Sequence, residues 1–331
     1  MTDYGRLFIQ YRYKTELGWE KDGNIGDCFQ NLAVRNIFNK IKIQDEALVK
    51  VNRDDIPDYT GTHCKLVMQS WYADYMGVFQ LPWSDNITPI FLGFHLNKMN
   101  NTRDRFLTEG IHHKMKAFEP IGCRDRNTRD FLRANGVNAY FSGCLTLTFD
   151  KRQTKPKNGK IFIVDLKKKA FKRLPKHILK NADTSISHVF YWDKAPISEQ
   201  DAWDFEKMSE KLLNKYKNEA KLIITSRIHV AMPCIAMGIP VIFITDNKYD
   251  ERFDVLQGII PVYDYHDMRY VKWNPAPADI SRLKTAILNN AIAQITGVDA
   301  EANRRALKEI TDGMKPIEYL PWYVRLFRKK H

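Results

Sequence analysis

The sequence predicts an α/β protein made of two Rossmann-like, doubly wound domains that face each other across a cleft. Strand-like apolar runs alternate with helix-like stretches along the chain, the pattern that builds parallel sheets. At 331 residues the chain exceeds the size at which a single core keeps growing, so two domains are the default. Residues 151–160 are basic, hold Pro156 and Gly159 and lack apolar periodicity, which marks them as the connection. The expected domains are therefore an N-terminal one over 1–152 and a C-terminal one over 153–331.

In the first domain, β-like runs occupy residues 7–13, 65–69 and 89–94, with a weaker one at 140–141. Helical stretches are expected over 27–39 and over 127–135, the second stopped by Gly136. The second domain opens with the apolar run 161–164 and continues through a polar helix at 199–216. Strand 222–225, helix 228–237, strand 241–245 and a later helix near 280–293 complete it.

Composition narrows the class. With 44% hydrophobic and 27% charged residues, the chain reads as a soluble or at most peripheral globular protein. No apolar stretch precedes the first strand, so no signal peptide is expected. The longest nearly apolar run, 230–244, holds Pro233 and Pro240 and falls short of the roughly 20 residues that cross a bilayer. Five single cysteines without C-x-x-C spacing predict reduced thiols, a cytoplasmic address and no structural zinc.

The net charge of +13 favours a polyanionic partner: nucleic acid, anionic lipid or a phosphorylated substrate. No nucleic-acid-binding motif accompanies it. Basic clusters lie at 151–160, 167–173 and 322–331. The last interleaves aromatic and cationic side chains, as helices at a membrane surface do, so contact with the inner face of an anionic membrane is expected.

Three segments carry candidate chemistry. In Leu222-Ile-Ile-Thr-Ser-Arg-Ile-His-Val, an apolar strand ends in Ser226, and Arg227 and His229 follow where a helix begins. Ligands of open parallel sheets bind at such strand ends, and helix N-termini attract anions. In Gly23-Asn-Ile-Gly-Asp-Cys-Phe-Gln, Gly26 permits a tight path and Asp27 is expected to cap a helix, with Asn24 and Gln30 beside it at the cleft. In Cys123-Arg-Asp-Arg-Asn-Thr, Arg124 offers a planar fork to a carboxylate or phosphate. Asp125 is expected to orient it, with Asn127 or Thr128 capping the next helix. His95 stands at a strand tip. Neither G-x-G-x-x-G nor G-x-x-x-x-G-K-[ST] occurs, which sets aside nicotinamide and P-loop readings.

Asn24-x-Gly26-Asp27 with Gln30, Arg124-Asp125 ahead of a helix, and Ser226-Arg227-x-His229 before Gly238-Ile-Pro240-Val241 together resemble the polysaccharide pyruvyl transferase family. The likeness spans roughly residues 20–260, with Ile228 in place of the usual leucine and 142–148 in place of a common Asp-Pro pair. It implies a frame similar to B-type glycosyltransferases. It also implies transfer of the enolpyruvyl group of phosphoenolpyruvate to a saccharide diol as a cyclic ketal, with no metal and no organic cofactor. Carried over, the donor contacts are Arg227, Arg124, Ser226 and His95, and the acceptor contacts Asn24 and Gln30. His229 is the expected proton-transfer group and Asp27 the candidate for activating the acceptor; the basic tail and the cytoplasmic address point to a lipid-linked oligosaccharide as that acceptor. The alternative on the same frame is a glycosyltransferase using a nucleotide-sugar.

Overall fold

The structure, a computed structural model, describes residues 3–11, 22–75, 78–193 and 197–314. The basic-aromatic segment 322–331 lies outside the described residues. The strands of the parallel sheets in the N-terminal half are β1 (Tyr4–Phe8), β2 (Val49–Asn52), β3 (Cys64–Val67), β4 (Ser70–Tyr72), β5 (Ile87–Ile90), β6 (Phe94–Leu96), β7 (Ile121–Cys123) and β8 (Ala139–Phe141). They form two four-stranded sheets, ordered β2-β1-β3-β5 and β8-β7-β6-β4. In the C-terminal half β9 (Lys160–Val164), β10 (Ala182–Asp183), β11 (Ala220–Thr225), β12 (Val241–Thr245) and β13 (Val262–Asp264) make a five-stranded sheet ordered β10-β9-β11-β12-β13. Every pairing in these three sheets is parallel. The main helices are α1 (Ile25–Lys40), α2 (Arg126–Ala134), α3 (Glu199–Glu219), α4 (Ile228–Ala236), α5 (Ser281–Thr296) and α6 (Ala300–Asp312).

The fold is thus mixed α/β with several parallel sheets, and the N-terminal half departs from the single sheet its sequence suggests. The run expected at 89–94 is two strands, because Gly93 takes a left-handed φ of +67° between them. The run expected at 65–69 likewise ends at Val67 and resumes at Ser70. The breaks are bridged by Met68 N–H donating to the Ile90 carbonyl (2.9 Å) and Gly122 N–H to that of Phe91 (3.1 Å).

The first strand starts at Tyr4, ahead of the apolar run, because Arg6 is buried inside it. Its guanidinium pairs with Glu206 of α3 through both Nη atoms (3.0 and 2.8 Å) and with Asp45 through Nε (2.5 Å). Residues 151–159 hold no strand or helix, yet Arg152 is anchored on the C-terminal half through its backbone N–H to Met237 (3.1 Å). The halves are not separate cores. One hydrophobic cluster joins Phe29, Val34 and Ile37 of α1 with Val230, Met232 and Ile235 of α4 and Ile287 of α5. A two-stranded antiparallel ribbon, Asp22–Asn24 with Val189–Tyr191, ties the halves again just before α1. No helix among the described residues is long and apolar enough to cross a membrane.

Removing one member of a buried ionic network leaves its partners desolvated and uncompensated. Arg6→Met is therefore expected to lower the unfolding free energy by about 3–5 kcal/mol in a urea titration. A loss below about 1 kcal/mol would show that the triad does not join the halves energetically.

Candidate functional site

The ends of strands β6, β7, β9 and β11 and the first turns of helices α1, α2 and α4 bring the candidate residues together. At the exit of β11, the Arg227 N–H donates to the Thr225 hydroxyl (3.0 Å) and starts α4 as its N-cap, without a side-chain capping bond. The turn is fixed from the neighbouring strand by Asp165, which directly follows β9. Asp165 accepts the Ser226 hydroxyl on its carbonyl (2.5 Å) and the Arg227 Nε on its carboxylate (3.0 Å). It also accepts the His188 N–H (3.0 Å). Its φ of +46°, rare for a residue with a side chain, is a local strain held by these contacts. With Nε committed to Asp165, both Nη groups of the half-buried Arg227 have no partner among the described residues. Ser226 serves this turn through its hydroxyl.

His229 sits in the first turn of α4, half-buried, and the start of α1 presses against it. A Cβ on Gly26 would lie 2.7 Å from His229 Cβ and 3.2 Å from Nδ1, so glycine here serves close approach between halves. The N-cap of α1 is Asn24, whose Oδ1 accepts the Gly26 N–H (3.0 Å). Asp27, expected to cap, instead lies inside the first turn and is turned inward. Its carboxylate accepts the Tyr11 hydroxyl (3.0 Å), with the buried Arg53 guanidinium 3.7 Å away. Sequence reasoning misassigned it because either residue type caps well; Asn24 stands at the extended residue before the helix.

From the first half, Arg124 leaves β7 and reaches both segments. Its Nη1 is 3.3 Å from Gln30 Oε1 and 3.5 Å from His229 Nε2. Gln30 is buried, and its Nε2 has no partner among the described residues. Asp125, expected to orient Arg124 while Asn127 or Thr128 capped the helix, is itself the cap of α2, accepting the Thr128 N–H (2.8 Å). Its other oxygen lies 2.5 Å from His95 Nδ1, while Arg124 Nε is 4.0 Å away, so the residue it orients is His95.

Electrostatics follow from this crowding. Burial opposes the charge on Asp125, but His95 and Arg124 outweigh it and hold the carboxyl far below its usual range. Burial and then Arg124 push His95 down, against the pull of Asp125. An ionised Asp125 beside a neutral ring puts the proton on Nδ1 and leaves the lone pair on Nε2. Burial, followed by Arg124, His95 and His188, lowers His229 well below the ordinary histidine value. The arrangement thus combines fixed guanidinium charge with two imidazoles held toward their neutral form, an environment that favours an anion. Neither Asp165 nor His188 carries a local sequence signal; the pairing of β9 with β11 brings Asp165 to Arg227, and Asp165 in turn holds the His188 N–H. No group of His, Cys, Asp and Glu among the described residues is arranged to hold a metal.

A family model described as polysaccharide pyruvyl transferase matches residues 24–248, which include all eight residues proposed from the sequence. A search of curated proteins returns no match. Among solved structures, the chain is similar to a functionally uncharacterized protein from Klebsiella pneumoniae subsp. pneumoniae NTUH-K2044. The identity is 16% with a TM-score of 0.43, over 77% of this chain and 87% of the other.

Two outcomes test the packing of this site. His188 is fully buried, its Nε2 3.0 Å from the Tyr216 hydroxyl, and burial pushes its pKa from 6.5 down to about 3. The unfolded chain therefore takes up the proton first. Stability from the neutral ring is whole above pH 6.5 and falls as pH drops toward 3. His188→Gln should flatten the melting-temperature profile in that window; an unchanged slope contradicts the assignment. Gly26→Ala should destabilise by about 1–3 kcal/mol through overpacking and shift the His229 ring resonances. Unmoved resonances would mean the helix yields without disturbing the imidazole.

Proposed function

The chain belongs to the polysaccharide pyruvyl transferase family, and from that premise we propose that it transfers the enolpyruvyl group of phosphoenolpyruvate to a saccharide diol. The product is a pyruvate ketal and free phosphate. The observation that carries the reading is the convergence of Arg227, Arg124 and His229 on the N-terminus of α4. In this reading the chain is two Rossmann-like units, 1–152 and 153–331, arranged as in B-type glycosyltransferases with the donor between them.

The donor brings a carboxylate and a phosphate. The Nη groups of Arg227, the guanidinium of Arg124 and the first N–H groups of α4 supply the matching positive field, with Ser226 holding the turn. Carbon 3 of the donor gains a proton, and positive charge develops at carbon 2. His229 supplies that proton. Its pKa is low in the free enzyme, and an arriving anion raises it by favouring the imidazolium. The first acceptor hydroxyl attacks carbon 2 and gives its proton to Nε2 of His95, oriented by Asp125 as in other carboxylate–imidazole pairs. The second hydroxyl then attacks carbon 2 as the carbon–oxygen bond to phosphate breaks; its proton leaves with the phosphate. His95 replaces Asp27 in activating the acceptor, because the Asp27 carboxylate is committed to Tyr11 and Arg53. Asn24 and Gln30 line the acceptor side. The basic excess of +13 fits an acceptor presented at an anionic membrane during surface polysaccharide synthesis.

Phosphate release and ketal formation with phosphoenolpyruvate and an oligosaccharide panel test the reading. His229→Gln should lower turnover by about 10²–10⁴-fold. Arg227→Lys should weaken donor binding, since a point charge does not replace a two-pronged contact. Near-parental turnover and donor affinity in both variants would contradict the roles, and stabilisation by nucleoside diphosphates but not by phosphoenolpyruvate would contradict the reaction.

A further inference from the structure

Trp71 stands beside this site with no part in the chemistry so far. It lies in β4 as the register partner of His95 in β6, and the Arg124 N–H donates to the Phe94 carbonyl (2.8 Å), which sets Arg124 next in the row. Register partners on neighbouring strands project from the same face, so indole, imidazole and guanidinium form one line across three strand tips. The flanking Ser70 and Tyr72 are buried, whereas Trp71 is only half-buried. Its ring plane is fixed from below: the guanidinium carbon of the fully buried Arg53 lies 5.2 Å from the ring centroid. Arg53 is held in turn by Asp54 (3.2 Å) and Asp27 (3.7 Å). This gives the inward Asp27 a purpose, since it helps anchor the cation that backs the indole. Gln30 keeps a buried Nε2 beside Arg124 that has no partner among the described residues.

A rigid indole, partly open and adjoining an acid–base group, suits a ligand with a flat C–H face and a hydroxyl rim. We propose that Trp71 is the acceptor subsite's stacking platform, receiving the C–H face of a pyranose ring while Gln30 donates to one of its hydroxyls. The inference rests on the pyruvyl-transfer reading for the ring's role as acceptor, but not for the ring's binding. Stacking on Trp71 brings a hydroxyl of the ring toward Nε2 of His95 in the neighbouring strand. It thereby decides which hydroxyl pair is offered to the donor.

The test uses the full-length protein with ¹⁵N-labelled tryptophan, titrated with methyl β-glucopyranoside and methyl β-galactopyranoside and with no donor present. The Trp71 indole N–H signal, identified by its loss in Trp71→Phe, should shift on titration. Trp71→Phe should keep most of the affinity, and Trp71→Leu should weaken it by about three- to ten-fold. In the transfer assay, Trp71→Leu should raise the acceptor KM and leave the phosphoenolpyruvate KM unchanged. Equal pyranoside affinity in Trp71→Leu, an unshifted indole signal, or no pyranoside binding to the parent protein would each overturn the proposal. If pyranosides bind at Trp71 but no ketal forms with any acceptor, the platform stands and the pyruvyl-transfer reading fails instead.

Discussion

The guanidinium of Arg124 and the imidazole of His229 come from opposite halves of the chain and lie 3.5 Å apart. Two such groups tolerate each other only while the imidazole is neutral, and burial with Arg124 enforces that state. In the proposed transfer, a doubly negative donor would remove the penalty on the imidazolium and so create the acid that step needs. Three neighbours set the geometry around the pair: Gly26, which lets α1 touch His229; Gln30, which takes the other side of Arg124; and Asp165, which holds Arg227.

The close approach demands a firm joint between the halves, and the structure supplies it twice. The helix α1 is encoded in the N-terminal half but packs in one apolar cluster with α4 and α5. The Arg6–Glu206–Asp45 network ties the first strand to α3. Groups carried on elements that share one core keep a fixed mutual orientation, as orientation-dependent proton transfer would require.

Much of this was legible in the sequence, and the misses have physical causes. The second half follows the expected order of strand, helix and strand because its runs of β-branched residues are long and cleanly bounded; β12 falls on the expected 241–245. The first half is less legible. The strands of its parallel sheets are three to five residues long, and Arg6 interrupts the first, so periodicity carries little signal. Within the site, Arg124, Gln30 and His229 could be named from motif and context. Asp125 and Asp27 exchanged expected duties with their neighbours, because a carboxylate beside a helix start caps, pairs or orients according to which side chain tertiary structure delivers. Asp165, His188 and Trp71 carry no local motif; they matter through sheet register, which a single sequence does not display.

The measurement closest to the central claim is a double-mutant cycle on phosphoenolpyruvate binding, by calorimetry, with Arg124→Gln, His229→Gln and the pair. If the two groups share one donor across the halves, their effects are coupled by about 1 kcal/mol or more. Effects that add within about 0.3–0.5 kcal/mol would mean that the guanidinium and the imidazole act on separate ligands, contradicting the account.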